Sequence, residues 1–134
     1  MRGQGFSFSV PRSWETAHTK TGVFARKGSA LVSATTFTLL TQYDPAHFDQ
    51  VVVELDRAAA KLAAGAGGKV TEKATTTVDG RKIRAYRYSA AGYATRIGFV
   101  LQGRREVQLL CRARAGAGDP DGACGLLFDS FSGA

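Results

Sequence analysis

Hydrophobic and polar residues alternate near the start of the chain, a period of two that is typical of a half-buried strand. Pro11 ends this pattern, and Trp14 is predicted to lie in the turn that follows. Two more short strands are predicted at 23–27 and 31–40, the second of them rich in Thr and Val. The alternating apolar residues of the first strand are Phe6, Phe8 and Val10.

The hydrophobic period then changes to that of a helix. Asp44 followed by Pro45 is typical of an N-cap residue with proline at the first helical position. Gly65 and the two glycines that follow it are typical of a helix C-terminus. The sequence therefore predicts one long helix between these signals. Its apolar face is formed by Phe48, Val51, Val52, Leu55, Ala59 and Leu62.

Four strands are predicted after this helix, and short turns join them. Asp79-Gly80 is a strong signal for a two-residue hairpin turn, and it pairs Val78 with Arg81. A turn follows at 90–92. The predicted strands lie at 70–78, 82–88, 93–101 and 107–113.

The register of the last two strands depends on the loop at 103–105. A three-residue loop pairs Leu101 with Val107, and it places Ile97 opposite Cys111. A two-residue loop would set Phe99 against the polar Gln108. The apolar pattern favours the longer loop.

A second short helix is predicted at the C-terminus, where Asp119-Pro120 repeats the N-cap signature. Strands, a helix, antiparallel strands and a final helix indicate an α+β fold with a mainly antiparallel sheet of about six or seven strands. No repeat or linker divides the sequence, which predicts a single domain over 1–134. The apolar face of the last helix is formed by Cys124, Leu127, Phe128 and Phe131.

The two cysteines are predicted to face the same core from the last strand and the last helix. The Gly- and Ala-rich segment between Cys111 and Cys124 is long enough to bring them together as a disulfide. Such a bridge would place the domain in an oxidising compartment. The alternative is a pair of buried free thiols. A zinc site is not expected, because His18 and His47 lie in other elements.

Composition is that of an ordinary globular protein, with 44% hydrophobic and 22% charged residues in 134. No apolar run is long enough to span a membrane. The N-terminus lacks the apolar segment of a signal peptide. The chain is therefore expected either to stay in the cytosol or to be a mature exported domain whose export signal is absent here, and the predicted disulfide favours export.

The net charge is +7, and the excess is concentrated in one segment. Residues 81–114 contain eight Arg and one Lys against a single acid, Glu106. If the turn at Gly92 has an odd number of residues, many of these side chains share one sheet face with two tyrosines, and that face could hold an anionic partner. A turn of even length would break up the patch, and a solvated or helix-covered face is the alternative. The predicted surface comprises Lys82, Arg84, Tyr86, Tyr88, Arg96, Arg112 and Arg114.

Catalytic and cofactor-binding patterns are absent from the sequence. No nucleophile motif or carboxylate pair stands out, and neither histidine has an evident catalytic partner. Gly65-Ala66-Gly67-Gly68-Lys69 lies between a helix and a strand, the reverse of a phosphate-binding loop. We therefore expect no enzyme activity, no cofactor, no metal and no nucleic-acid partner.

The segment Gly-Phe-Ser-Phe-Ser-Val-Pro at 5–11, followed by Trp14, resembles the opening of the PsbP-like superfamily. The order of elements and the terminal Ser130-Phe131 agree with it, and the cysteine placement is similar to that of secreted actinobacterial lipoproteins of the LpqN type. The superfamily includes extrinsic photosystem subunits, a Ran-binding transport factor and envelope lipoproteins. The resemblance implies an α/β/α sandwich that serves as an accessory or binding module.

The sequence thus predicts a non-catalytic extracytoplasmic domain that recognises a protein or an anionic envelope component through the Arg/Tyr face. A lipid anchor upstream of Met1 is compatible with the resemblance. One alternative is a carrier or sensor of a small apolar ligand, with a cleft between sheet and helix lined by Trp14 and the tyrosines. The other is an enzyme whose site one sequence does not reveal.

Overall fold

Two helices pack on opposite faces of a seven-stranded antiparallel sheet in the computed structural model, which describes residues 1–115 and 120–133. The strands are β1 (Arg2–Gly3), β2 (Phe6–Ser7), β3 (Glu15–His18), β4 (Gly22–Lys27), β5 (Ala30–Thr38), β6 (Lys69–Val78), β7 (Arg81–Ala90), β8 (Tyr93–Gln102), β9 (Arg105–Arg114) and β10 (Ser132–Gly133). The helices are α1 (Phe48–Gly65) and α2 (Pro120–Ser130). The predicted α+β class is confirmed.

The strands of the main sheet lie in the order β3-β4-β5-β9-β8-β7-β6. A small second sheet of order β1-β2-β10 joins the beginning of the described chain to its end. The predicted first strand is therefore shorter than its alternating pattern suggested, and it lies outside the main sheet. Strand β3, which the sequence did not predict, forms one edge of the main sheet.

Helix α1 begins where its capping signal predicts. The Asp44 carboxylate accepts a hydrogen bond from the Ala46 amide at 2.9 Å, and a single 3₁₀ turn leads into the helix. The helix ends at Gly65, and Gly67 then adopts a positive φ of 87°. Leu62, on the predicted apolar face, is 41% exposed, and Ala63 is buried in its place.

Helix α2 packs mainly on β9 and β5, on the opposite face from α1. Its predicted apolar face is buried, and Leu127 is completely inaccessible to solvent. Cys111 and Cys124 lie at disulfide distance, with 5.5 Å between their Cα atoms, and they link β9 to α2. The predicted N-cap, Asp119, lies outside the described residues.

Each of the three β6–β9 connections is a two-residue turn. Asp79 and Gly80 both have positive φ, as a type I′ turn requires, and Val78 pairs with Arg81 as predicted. The turn at 91–92 is also of two residues, because Ala90 pairs with Tyr93. The predicted three-residue loop at 103–105 is wrong: Gln102 pairs with Arg105, so Phe99 lies opposite Gln108.

The register prediction failed because strand β8 is covered on both faces. Its five residues from Ile97 to Leu101 are all buried, so apolar side chains point to both sides of the sheet. A strand buried on both faces carries no alternation from which its register could be read. The polar Gln108 is tolerated opposite Phe99 because it is only partly buried.

Candidate functional site

The two helices cover different halves of the main sheet. Helix α1 packs on β6 and β7 on one face, whereas α2 packs on β9 and β5 on the other. On the α1 side neither described helix covers β4 and β5, and Phe24, Leu31 and Ser33 are partly exposed there. This staggered arrangement determines which of the predicted surface residues reach solvent.

The predicted Arg/Tyr surface does not form on one face. The even-length turn at 91–92 places Tyr86 opposite Ile97 and Arg87 opposite Arg96. Arg96 therefore points to the α2 side, opposite to Tyr86, and its guanidinium lies 3.9 Å from the centroid of the Phe128 ring. The expectation of a single patch that includes Arg96 is wrong. The six that share the α1-side face are Lys82, Arg84, Tyr86, Tyr88, Arg112 and Arg114.

Arg84 and Tyr86 bind a carboxylate of helix α1. Arg84 donates to both carboxylate oxygens of Asp56, at 3.0 Å from Nε and 3.4 Å from Nη2. The Tyr86 hydroxyl donates to the same Asp56 at 2.5 Å. Lys73 Nζ lies 3.8 Å away on the exposed side, and Arg84 Nη1 donates to Thr75 Oγ1 at 3.2 Å. This network joins the helix to β6 and β7.

The pKa shifts of Asp56, Arg84 and Tyr86 agree with the hydrogen bonds that join them. Burial alone would raise the pKa of Asp56, but the hydrogen bonds from Arg84 and Tyr86 lower it below its ordinary value. The bond to Asp56 raises the pKa of Arg84. Burial, followed by the bond to Asp56, raises the pKa of Tyr86. Asp56 and Arg84 are therefore charged and Tyr86 neutral at pH 7.

The interface between α1 and the sheet is filled with side chains. Tyr86 is 1% and Tyr88 9% exposed, and Tyr86 packs edge-on against Phe99 at 6.0 Å between ring centroids. Leu55 and Ala59 pack there from the helix. Trp14 lies elsewhere, half-buried against the core on the α2 side. Both tyrosines are buried in this interface, and Trp14 does not line it.

A shallow recess of about 430 Å³ opens on the uncovered half of the α1-side face. Arg112 is exposed there, and its guanidinium lies 5.4 Å from the Tyr93 ring centroid. Arg26 stands at the rim, with Nε 3.5 Å from the exposed Glu15 carboxylate, a weak surface pair. We call this surface the open sheet face. It is formed by Phe24, Arg26, Leu31, Ser33, Tyr93 and Arg112.

Sequence reasoning found Arg112 but missed the other five residues of the open sheet face. Arg26 and Leu31 are paired across the β4–β5 hairpin, and Leu31 is paired with Arg112 across β5 and β9. The β5–β9 pairing joins segments more than sixty residues apart, and no local pattern in the sequence indicates it. The Gly28-Ser29 turn, which closes the β4–β5 hairpin, was the one local signal for part of this surface.

The histidines lie apart from this surface. His47 is exposed in the first helical turn, and its Nδ1 lies 3.9 Å from Asp44 Oδ2. His18 is exposed at the end of β3. Within residues 1–115 and 120–133, no three His, Cys, Asp or Glu side chains gather as metal ligands would. In the same residues, neither helix combines the length and apolarity of a membrane span.

The fold is PsbP-like. The solution structure of cyanobacterial PsbP (CyanoP) from Synechocystis sp. PCC 6803 superposes with a TM-score of 0.69 at 11% identity, covering 97% of this chain and 87% of that one. The crystal structure of LpqN, described as involved in cell envelope biogenesis of Mycobacterium tuberculosis, superposes with a TM-score of 0.66 at 13% identity, covering 95% and 82%. No family model and no curated protein sequence matches the chain.

Proposed function

We propose that this chain is a non-catalytic, extracytoplasmic accessory domain that binds an anionic protein or envelope component through the open sheet face. The observation that carries the proposal is the exposed Arg112 guanidinium beside the Tyr93 ring in an uncovered recess. Guanidinium groups next to aromatic faces suit planar anionic groups and acidic side chains.

The covalent link between β9 and α2 supports the extracytoplasmic part of the proposal. Disulfides persist in secreted and envelope proteins and are rare in the cytosol. The bridge joins buried cysteines, with Cys111 2% and Cys124 3% exposed, as a structural rather than a redox-active pair would be. The role of LpqN in cell envelope biogenesis is consistent with such a compartment.

Charge supports an anionic partner. The whole chain carries +7, and the open sheet face contributes Arg26 and Arg112 around an apolar floor of Phe24 and Leu31. An apolar floor with cationic sides binds acidic groups that also bury carbon surface. Long-range attraction to such a partner would weaken with salt, because exposed charges are screened.

The test compares two charge reversals that change the net charge equally. Arg112→Glu alters the open sheet face, and Arg57→Glu alters an exposed position on α1, away from that face. Each purified protein is incubated with the envelope fraction of the cells that produce it, at low and moderate salt, and the bound amount is quantified. We expect Arg112→Glu to lower binding roughly tenfold, and Arg57→Glu to lower it by less than about threefold.

Equal losses in the two variants would mean that only net charge matters, and the proposed surface would then be wrong. Binding by the unaltered protein that is insensitive to salt would contradict an anionic partner.

A further inference from the structure

Strand β6 is a long edge strand of the main sheet. It runs from Lys69 to Val78, pairs with β7 on one side and has no described strand on the other. The opposite edge is β3, with four residues. A long edge strand exposes a row of backbone groups on which another strand can form.

The two halves of β6 differ in whether their residues hinder the addition of another strand at that edge. The first half carries Lys69, Glu72 and Lys73, and its register shifts between Val70 and Glu72. Charged side chains and bulges are the usual devices that block strand addition. The second half, 74–78, reads Ala-Thr-Thr-Thr-Val, with neither charge nor proline. The edge is therefore blocked at one end and open at the other.

The turn geometry fixes which backbone groups point outward. In a two-residue hairpin the closing pair, here Val78 with Arg81, is hydrogen-bonded, and the bonded pairs alternate along the strand. Thr76 then bonds β7, whereas the amide and carbonyl groups of Thr75 and Thr77 point away from the sheet. Both threonines are exposed. Their outward amide and carbonyl groups are the hydrogen-bond donors and acceptors that an added strand would pair with.

Recesses flank β6 on both faces of the sheet. The one on the α2 side has a volume of about 230 Å³, and the one on the α1 side about 200 Å³. Side chains of an added strand alternate between the two faces, so those on the α2 side would enter the recess that adjoins 74–76, whereas the α1-side recess adjoins 70–73, in the charged half of β6. The first recess is lined by Glu72, Ala74, Thr75, Thr76, Ala85, Tyr86, Arg87 and Arg96, and the second by Asp56, Ala60, Val70, Thr71, Glu72, Lys73 and Tyr86.

We propose that the 74–78 half of β6 accepts an extended acidic segment of a partner protein as an eighth strand of the main sheet. Strand addition supplies main-chain hydrogen bonds, and alternate side chains give specificity. Arg87 and Arg96 line the α2-side recess, where Arg87 Nε lies 3.5 Å from Glu72 Oε2, and they favour acidic side chains at the alternate positions that face this recess. The α1-side recess is lined by two acids, Asp56 and Glu72, and by Lys73, so the positions between are expected to be uncharged. A second copy of this chain also carries +7 and is disfavoured by charge.

The test uses a pool of synthetic eight-residue peptides with Glu or Asp at alternate positions and Val, Ile or Thr between them. Binding to the full chain is measured by fluorescence anisotropy, and amide hydrogen exchange is followed by NMR. We expect peptides from the pool to bind, and the amides of Thr75 and Thr77 to exchange at least tenfold more slowly in the complex. The Thr76 amide, already bonded to β7, should change little.

Thr77→Pro removes one outward amide without touching the β6–β7 bonds, and Thr77→Val is its matched control. We expect the proline variant to bind the peptides roughly tenfold more weakly and the valine variant to bind within about twofold of the unaltered protein. Arg112→Glu, on the open sheet face, should lower this binding by less than about threefold, as expected from net charge alone, which separates this proposal from the proposed function.

The proposal is overturned if no peptide of the pool binds, or if binding leaves the Thr75 and Thr77 amides unprotected. Equal losses in Thr77→Pro and Thr77→Val also overturn it. Protection of these amides in peptide-free protein that rises with protein concentration would instead identify a second copy as the occupant.

Discussion

Arg84 reaches across from strand β7 and donates two hydrogen bonds to the Asp56 carboxylate of helix α1, with N···O distances of 3.0 and 3.4 Å. The side chain of Arg84 is 16% exposed and that of Asp56 27%. Tyr86 donates to the same carboxylate. One acid thus satisfies two polar groups that β7 directs toward the helix.

Removing this acid should destabilise the fold. Asp56→Ala leaves the Arg84 guanidinium and the buried Tyr86 hydroxyl without their acceptor, so we expect the free energy of unfolding to fall by about 2 kcal/mol. Urea denaturation measures the change. Glu54→Ala, at an exposed position of the same helix, is the control and should lie within about 0.5 kcal/mol of the unaltered protein. Similar values for both variants would show that the network contributes little.

The contribution of Asp56 should depend on pH. Its folded-state pKa is lowered, so the stabilisation is complete above the unfolded-state pKa of about 3.9 and is lost as the pH falls through the folded value. The stability difference between Asp56→Ala and the unaltered protein should therefore narrow below about pH 4. A difference that stays constant between pH 7 and pH 3 would contradict the assigned direction.

Glu106 should show the opposite dependence. Burial raises the pKa of this carboxyl, so the folded state binds a proton more readily than the unfolded chain. The free energy of unfolding should then decline as the pH rises from the unfolded-state pKa, about 4.3, through the folded value. Glu106→Gln removes this decline and should be more stable than the unaltered protein at pH 7 but not at pH 3. The melting temperatures of Glu106→Gln and of the unaltered protein, measured by thermal denaturation at pH 7 and pH 3, test this prediction. Glu54→Gln, at an exposed position, is the control.

Gly98 lies under the Phe128 ring of α2. A Cβ at this position would stand 2.7 Å from Phe128 Cε1 and 3.2 Å from Ile83 Cδ1, so Gly98→Ala forces the ring to move. We expect a loss of about 2 kcal/mol in the free energy of unfolding. Gly125→Ala lies within α2, and its new Cβ would meet no described atom within 4 Å beyond its chain neighbours and the backbone of its own helix, so this variant should instead be more stable by about 0.5–1 kcal/mol. A stabilising Gly98→Ala would contradict the packing of α2 on β8.

The bridge between Cys111 and Cys124 should be present in the protein taken from its own cells. Intact mass after thiol alkylation without reduction should show no added label, and two labels should appear after reduction. Because the bridge constrains the unfolded chain, its removal should cost about 3 kcal/mol. Two labels without reduction would remove the main support for an oxidising compartment.

Features encoded by neighbouring residues were predictable from the sequence. The Asp44 cap, the glycines after α1 and the Asp79-Gly80 turn each act through bonds or dihedral angles within a few positions. The cysteine pair was predictable because both residues lie on apolar faces of their elements. These signals were sufficient for the α+β class and for most element positions.

The candidate site was not predictable in the same way. Arg84 and Tyr86 are residue types that are common on exposed binding surfaces. Their polar atoms instead donate to Asp56, which lies in another element, and only the packed structure shows that pairing. The faces of Arg84 and Arg96 depend on the length of one turn, and the open sheet face depends on the β5–β9 pairing. A one-residue difference in a turn reverses every following side chain.

Site-specific photo-crosslinking in living cells tests most directly whether the open sheet face is the binding surface. Benzoylphenylalanine replaces Tyr93 in one variant and, as the control, the exposed Lys61 of α1 in another. We predict a covalent adduct with an acidic protein or envelope component from position 93, lost when Arg112→Glu is added, and none from position 61. Adducts from position 61 alone, or an adduct at position 93 that survives Arg112→Glu, would contradict the proposed surface.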